Sequence, residues 1–599
     1  MLYSTMTRYN WIVEEVDPSL KRQIEERFHT TPAISEIILK RNLADNQALR
    51  NFISCPISEL HDPFLLPAVA QAVERVLEAV QNKKKIVVYG DYDVDGITST
   101  SLLVEFLRKL DAQVGYYVPN RFDEGYGLNE EAAVKLAGKG YSLLIAVDCG
   151  TNSSSVLARA REYGLEVVVC DHHNPLVSPE TGAIIVNPKL PGSRYPYPEL
   201  AGVGVVFKLI SALLSALKDS QRSRFPSNFL TQTLDLVALG TICDVAPLTG
   251  ENRILVKRGL SLLARSRRPG LVALKKVAGL EGKKIGTYEV GFLLGPRLNA
   301  GGRMSSALKC VQLLLEQNLE RALKISQRLD EENRKRQKIQ EEIALEIDQI
   351  LETDASWEKE CGLVLFSADW HEGVLGIVAS RVAKMQRKPT VLLTQAGDMC
   401  KGSARSIESF DLFQALSGCQ HLLDGFGGHR LAAGLRMRLE NFLIFREKFV
   451  SLANQVLLEE DRVAKLHVDS PLIASDMKRE LFKFLKYLEP YGEGNQEPIF
   501  LFRGALLTEI RPTSDLKHLK LRVKVDSLTF QAVMFNAPSE VLQEIEVGSQ
   551  IDLVFCFRES DFDTHGGYEI VVLDLRNVSG EKPHRIAEHI HDDLPAHSH

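Results

Sequence analysis

Several common features are missing from this chain. Its nine cysteines in 599 residues are scattered, odd in number and never spaced Cys-x-x-Cys. That excludes a disulfide frame and a zinc ribbon and fits a reducing cytoplasm. No apolar run approaches the roughly 20 residues that span a bilayer; Leu143 to Val147 and Val203 to Phe207 are representative. The N-terminus, MLYSTMTRYNWIVEE, lacks the charged-then-apolar order of a signal peptide. Net charge is only −6, so no overall field advertises a nucleic-acid partner. Phosphate answers to local patches and metal ions rather than to the global sum, so a nucleic-acid partner is not excluded. No internal repeat is visible.

What remains is ordinary globular composition, 45% hydrophobic and 25% charged. Collagen, a disordered chain and a disulfide-knotted mini-protein are excluded. At about 100–200 residues per domain, the length predicts three to five domains. Residues 1–80 read as helical segments broken by prolines, a packing or capping unit without chemistry. From Lys83 apolar strands alternate with helical patterns: Ile86 to Tyr89, a loop at Gly90 to Gly96, a helix from Thr98 to Leu110, then strands Val114 to Val118, Leu143 to Val147 and Glu166 to Cys170. Near-continuous apolar strands of this kind build a buried parallel sheet, whose ligands bind beyond the carboxyl ends of the strands.

Leu319 to Glu352 contains no Gly or Pro and repeats apolar residues at Ile339, Ile343, Ile347 and Leu351. It predicts one helix of about 50 Å with a narrow buried stripe, long enough to join two lobes, its charge run forming a solvated face. A second α/β pattern follows from Gly362, and five short β-runs between His467 and Val578 predict an OB-like barrel. The expected divisions are 1–80, 81–318, 319–355, 356–460, 461–580 and a His-rich tail, 581–599, read as a disordered end rather than a metal-binding tail. The fold class is therefore two α/β lobes joined by a long helix, with a C-terminal β-barrel.

Acidic clusters sit where the sheet rule directs attention. The first strand ends in Asp91-Tyr-Asp93-Val-Asp95-Gly, the next apolar strand in Asp148-Cys-Gly, the following one in Asp171-His172-His173, and a later apolar run, Leu234 to Ile242, in Asp244. Singly, each has a plain structural reading as a strand end, a helix cap or a core histidine. A calcium loop is also excluded, because no Glu follows at the twelfth position. Together at one rim, carboxylates mixed with imidazole suit Mn²⁺ or Mg²⁺, and a shared aspartate builds the two-ion site of in-line phosphoryl chemistry.

In their order these motifs resemble the DHH phosphoesterases. Glu124 to Leu128, Gly240 to Leu248, Gly295 to Met304, Trp370 to Arg381 and Gly425 to His429 extend the resemblance, over roughly residues 80 to 575, to the RecJ branch with its DHHA1 domain. The resemblance implies 5′-to-3′ degradation of single-stranded DNA to 5′-mononucleotides with two Mn²⁺ or Mg²⁺ ions, in DNA repair and recombination, in the cytoplasm and away from membranes. A single-strand-binding protein and a helicase are the expected partners. It implies that Asp93 holds one ion, that Asp95, His172 and Asp244 hold the other, and that Asp148 bridges them, with Asp91 and His173 supporting the site or facing the phosphate. Relatives often carry a histidine ligand four residues before the second aspartate. Tyr89 stands there, which predicts a looser first ion or an extra water.

Arg121, Arg303, Ser403 and Arg405 are candidates for binding a terminal phosphate through guanidinium forks and a hydroxyl. Gly427, Gly428 and His429 would present backbone N–H groups and an imidazole to it. Arg297 and Asn299 are candidates for shaping the same channel. The aromatic residues Phe530, Phe535, Phe555 and Phe557 are available in the barrel, although strand aromatics are more often core. The alternatives are an oligoribonuclease or cyclic-dinucleotide phosphodiesterase of the same superfamily, which the long helix and added barrel disfavour, and a non-catalytic single-strand-binding scaffold, which the complete acidic set disfavours.

Overall fold

The computed structural model of the chain describes residues 9–578 apart from 122, 123, 126, 177–181, 355, 515, 516, 539, 540 and 560–567. The expected His-rich tail lies outside the described residues.

Five strands, Ile86–Gly90, Val114–Tyr117, Leu143–Val147, Glu166–Cys170 and Ile184–Val186, form an all-parallel sheet in the spatial order second, first, third, fourth, fifth. The first and third are buried at every position, because helices cover both faces. Val94–Lys109 and Gly202–Ala216 pack on one face, with Leu234–Cys243 packed against these two helices. Glu130–Gly138 and Ser154–Glu162 pack on the other. The strand order reverses between the first and third strands, which opens a crevice at Gly90 and Val147, directly before the first two acidic clusters. The helix after the first strand begins at Val94, earlier than its periodicity indicates. Asp93 caps it: Oδ1 accepts from the Asp95 and Gly96 amides at 3.0 and 3.1 Å.

The connecting helix runs Leu319–Thr353. Ala322 and Leu329 enter the first lobe's core, while Ile343 and Ile347 enter a core with Trp357, Trp370 and Val374 of the second lobe. Its charge run is not wholly solvated, since Asp330, Asn333 and Arg336 are buried. The second lobe is a five-stranded mixed sheet, Leu363–Phe366, Thr390–Ala396, Met399–Arg405, Ala432–Arg438 and Gly425–Gly428 in spatial order.

The C-terminal strands Phe500–Pro512, Leu519–Val525, Leu528–Met534, Tyr568–Asn577 and Gln550–Glu559 follow one another around a barrel, and the last pairs with the first to close it. Phe530, Phe555 and Phe557 fill its interior, whereas Phe535 lies outside with the Arg558 guanidinium 5.2 Å from its ring centre.

The N-terminal segment is not one helical unit. A strand, Asn10–Val13, pairs in parallel with Lys465–Val468. Ile24, Ile34, Ile37 and Ile38 share a core with Phe500 and Phe502 of the barrel, and the helix Val69–Gln81 belongs to the first lobe. Arg253, 2% exposed on a first-lobe helix, ties these parts together. Its guanidinium donates to the Phe52, Pro490, Tyr487 and Glu489 carbonyls at 3.0–3.3 Å and lies 3.7 Å from the Phe52 ring centre. Arg253→Met would remove four charge-assisted hydrogen bonds, although Lys257 still donates to Tyr487 O and Asn495 to Pro490 O, and should cost about 3 kcal/mol at this junction. The expected result is a lower first thermal transition and new proteolytic cleavage between residues 40 and 60. An unchanged melt and digest would contradict this role.

Candidate metal centre

Each acidic residue arrives at the rim by a separate local device. Asp91 and Asp148 directly follow parallel strands, Asp95 sits in the first turn of a helix, and Asp244 is the C-cap of Leu234–Cys243. Asp95 is held against the start of Gly202–Ala216, where its two oxygens accept from the Gly202 and Val203 amides at 2.7 and 2.9 Å. A Cβ on Gly202 would stand 2.6 Å from Asp148 Oδ1, so only glycine permits this approach. Residue types alone do not mark Ala201 to Val203 as part of the site; the local signal is glycine at the start of an apolar helix.

Among the described residues, three triads bring their donor atoms within 4.8 Å of one another: Asp91, Asp93 and Asp148; Asp95, His172 and Asp244; and Asp148, His172 and His173. His172 Nε2 lies 3.1 Å from Asp148 Oδ1, 3.8 Å from Asp244 Oδ2 and 3.9 Å from Asp95 Oδ2. Burial first, then the neighbouring His173, pushes His172 down to about 3, so its ring is neutral. Its other nitrogen is engaged by the Leu200 backbone. Nε2 therefore aims a lone pair at a carboxylate oxygen, an arrangement that makes no hydrogen bond and asks for a cation between the two atoms. His172 Nε2, Asp148 Oδ1 and Asp91 Oδ1 are buried with no hydrogen-bond partner among the described residues, which fits a divalent ion on each side of Asp148.

The electrostatics agree. Burial and then neighbouring carboxylates push Asp95 up to about 7 and Asp244 up to about 9, and raise Asp91 and Asp148 well above the usual range. Asp171 behaves oppositely. Burial would raise it, but the His173 hydrogen bond and charge and the Thr151 amide hold it below the usual range. His173 Nδ1 lies 2.7 Å from Asp171 Oδ1; although burial disfavours its charge, this contact lifts His173 to about 9. A ring held cationic is a poor ligand, so the third triad is read as a proton-carrying group beside the other two.

Asp91, expected to support the site, lies inside the triad with Asp93 and Asp148. Tyr89 faces away from the rim into the opposite core, where its hydroxyl donates to Gly127 O at 2.9 Å and its ring stacks on Tyr117.

The phosphate candidates divide. Arg121 lies over the Tyr92 ring at 5.4 Å, Arg303 reaches Gly373 O at 3.4 Å, and Arg405 donates to Ser403 Oγ at 3.0 Å. After burial, the Arg121 charge holds Arg303 and Arg405 below the usual arginine range, and the Arg405 charge does the same to Arg303. Gly427 and Gly428 do not form a loop of converging amides. They belong to an edge strand, with Gly427 opposite Gly434, which is opposite Ser403, and His429 in the exposed turn beyond. Arg297 is taken up by Asp330 of the connecting helix at 2.9 Å. Asn299 lines a cavity of about 650 Å³ beside Cys243 and Val245, between Leu234–Cys243 and the 491–497 segment. Tyr288 and Phe292, stacked 5.0 Å apart and largely exposed, form another of its walls.

A crevice of this topology with a shared carboxylate is the architecture of metal-dependent phosphoesterases, and the family models narrow it. Residues 85–241 match the DHH family, N-terminal domain, 359–458 the DHHA1 domain and 468–574 the RecJ OB domain. The chain is 36% identical over 553 residues to the single-stranded-DNA-specific exonuclease RecJ of Bacillus subtilis (strain 168), covering 92% of this chain and 68% of that protein. To the protein of the same name from Escherichia coli (strain K12) it is 35% identical over 508 residues, covering 82% and 88%. The crystal structure of RecJ in complex with Mn²⁺ from Thermus thermophilus superposes with a TM-score of 0.81 at 29% identity, covering 96% of this chain and 80% of that one. The Mg²⁺ complex of the same protein gives 0.74 at 28% identity, covering 95% and 78%. The chain belongs to the RecJ family.

The raised carboxylates yield a pH prediction. In the metal-free protein, Asp95 and Asp244 keep protons that the unfolded chain has lost above its ordinary carboxylate range. Stability from this source is full at acid pH and lost as pH rises through about 7 and 9. A bound cation replaces those protons and reverses the trend. The rise in melting temperature on adding Mn²⁺ should therefore be larger at pH 8 than at pH 6. A larger rise at pH 6 would contradict the assignment.

Proposed function

We propose that this chain is a metal-dependent exonuclease that degrades single-stranded DNA from the 5′ end, releases 5′-mononucleotides and serves DNA repair and recombination. The observation that carries the reading is the sharing of Asp148 between an Asp91–Asp93 pair and the Asp95–His172–Asp244 set. Asp91 and Asp93 would hold one Mn²⁺ or Mg²⁺ ion, Asp95, His172 and Asp244 a second, and Asp148 both; the imidazole ligand favours Mn²⁺. When bound, the ions supply Lewis-acid activation of water and neutralise charge on the phosphoryl oxygens.

The chain's own residues do the rest. Asp171 fixes the His173 ring, which donates a hydrogen bond toward the scissile phosphate and carries a proton for the leaving oxygen. Arg303, Arg405, Ser403 and Arg121 bind the terminal phosphate and so select the 5′ end. The bare row Gly427–Gly434–Ser403 leaves room beside that pocket, with His429 at its outer rim. The mainly apolar cavity beside Asp244 suits unpaired bases, and Lys520, Arg522 and Lys524 project outward from one barrel strand toward backbone phosphates.

The intact ligand set gives the scaffold alternative no support. The nine free thiols suit the cytoplasm, and no described helix is long and apolar enough to cross a membrane. A helicase and a single-strand-binding protein are the expected partners, since the substrate is unpaired strand.

Single strands of DNA and RNA carrying a 5′ label, with and without Mn²⁺, test this reading. The label should leave DNA first, as a mononucleotide, and only with metal. Asp148→Ala should lower turnover roughly a thousandfold in a correctly folded protein. Near-normal turnover of that variant, or a label retained on long products, would sink the proposal.

A further inference from the structure

The buried face of the connecting helix carries polar residues at Ser326, Asp330, Asn333 and Arg336. Its buried positions include Ala322, Ser326, Leu329, Asn333, Arg336, Ile343 and Ile347, the three-and-four spacing of a single face. Leu329 belongs to the first lobe's core, and Ile343 and Ile347 to the core they share with the second. Between them, at the seam, stand Asn333 and Arg336, 2% and 9% exposed. Asn333 Oδ1 and Arg336 Nε have no hydrogen-bond partner among the described residues, and the Arg336 Nη1 contact with Gln340 is a long 3.5 Å. Burying such groups unpaired is costly, and an aliphatic residue would continue the stripe without that cost.

This turn of the helix lies beside the proposed phosphate pocket. Leu329, one turn earlier, packs where a Cβ on Gly301 would stand, 3.3 Å away, two residues before Arg303. Ile339, one turn later, packs in the same cluster as Met304, the residue after Arg303. From the second lobe, Gly376 brings bare helix backbone against the pocket: a Cβ there would stand 3.0 Å from both Arg405 Nη2 and Ser403 Oγ. Among the described residues, Arg121, Arg303, Arg336 and Arg405 form no ion pair with a carboxylate. After burial, the charges of Arg121, Arg336 and Arg405 are what hold Arg303 down to about 10. Four guanidinium groups without a carboxylate, beside an unpaired amide, require an anion of high charge density.

We propose that Asn333 and Arg336 are phosphate-binding residues which, with Arg303 and Arg405, hold the 5′-terminal phosphate monoester, so that the helix joining the lobes also reads the strand's end. This rests on the reading that the arginine pocket takes the 5′ terminus. Arg336 offers a planar fork to two phosphate oxygens. The Asn333 amide, turned end for end, presents N–H to the same space.

The test uses the full chain with Mn²⁺ and two single-stranded DNA substrates that differ only in a 5′-phosphate or a 5′-hydroxyl. KM and kcat are measured for Arg336→Gln, Arg336→Lys, Asn333→Asp and Arg405→Gln. The wild type should prefer the phosphate. Arg336→Gln should cut that preference in kcat/KM at least tenfold, mainly through KM, with partial recovery in Arg336→Lys. Asn333→Asp, nearly isosteric, brings a like charge to the phosphate and should cut the preference as well, keeping the test open if an arginine variant folds poorly. If Arg405→Gln erases the preference while folded helix variants retain it, the helix residues are structural and this inference is wrong. An equal loss on both substrates with a lowered melting temperature would have the same meaning. If the wild type shows no preference, the 5′-phosphate reading fails and the inference with it.

Discussion

Repulsion among carboxylates is the constraint from which the rest of this structure follows. Asp91, Asp93, Asp95, Asp148 and Asp244 share one largely buried rim, and two such charges about 4 Å apart repel by about 4 kcal/mol at an effective dielectric constant near 20. No arrangement of side chains alone relieves this at neutral pH. The chain relieves part of it with helix starts, as where Gly202 and Val203 meet Asp95, and part with the cationic His173. The remainder is left to cations, and that is why three donor atoms at the rim are buried without partners.

A site so loaded needs a frame that does not yield. Its parallel sheet is sheathed on both faces, and the connecting helix is rooted in the cores of both lobes. Arg253 links the first lobe to the N-terminal segment and the barrel approach by four hydrogen bonds. Apart from His173, the positive charge near the rim is gathered in an arginine pocket at the seam. Acidic rim and basic pocket lie on either side of the Asp91–Tyr92 loop, Asp91 turned to one and Tyr92 stacked under Arg121 in the other. In the proposed reading, that division separates the bond to be cut from the end to be held.

Much of this was legible in the sequence because it is local. Leu143 to Val147 is apolar throughout and therefore doubly covered, and Asp148 follows it as the sheet rule requires. The long helix was legible from its period and its lack of Gly and Pro. Other features depend on partners distant in sequence. Nothing near Ile34 or Ile37 indicates that they pack under Phe500, more than 450 residues away. Tyr89 and Asp91 stand two apart, and which one faces the rim depends on how the strand ends and turns, which residue types do not reveal. Asn333 and Arg336 sit in a dense charge run, where a buried polar residue looks the same as a solvated one. The exposed glycine row opposite Ser403 follows from strand register, which a Gly-Gly motif alone does not specify.

The central claim is that Asp148 stands between two cation sites. Anomalous X-ray diffraction from crystals soaked in Mn²⁺ tests it most directly. Two peaks should flank the Asp148 carboxylate about 3.5–4 Å apart, one at Asp91 and Asp93 and the other at Asp95, His172 and Asp244. A single peak, or two peaks of which neither touches Asp148, would contradict the account.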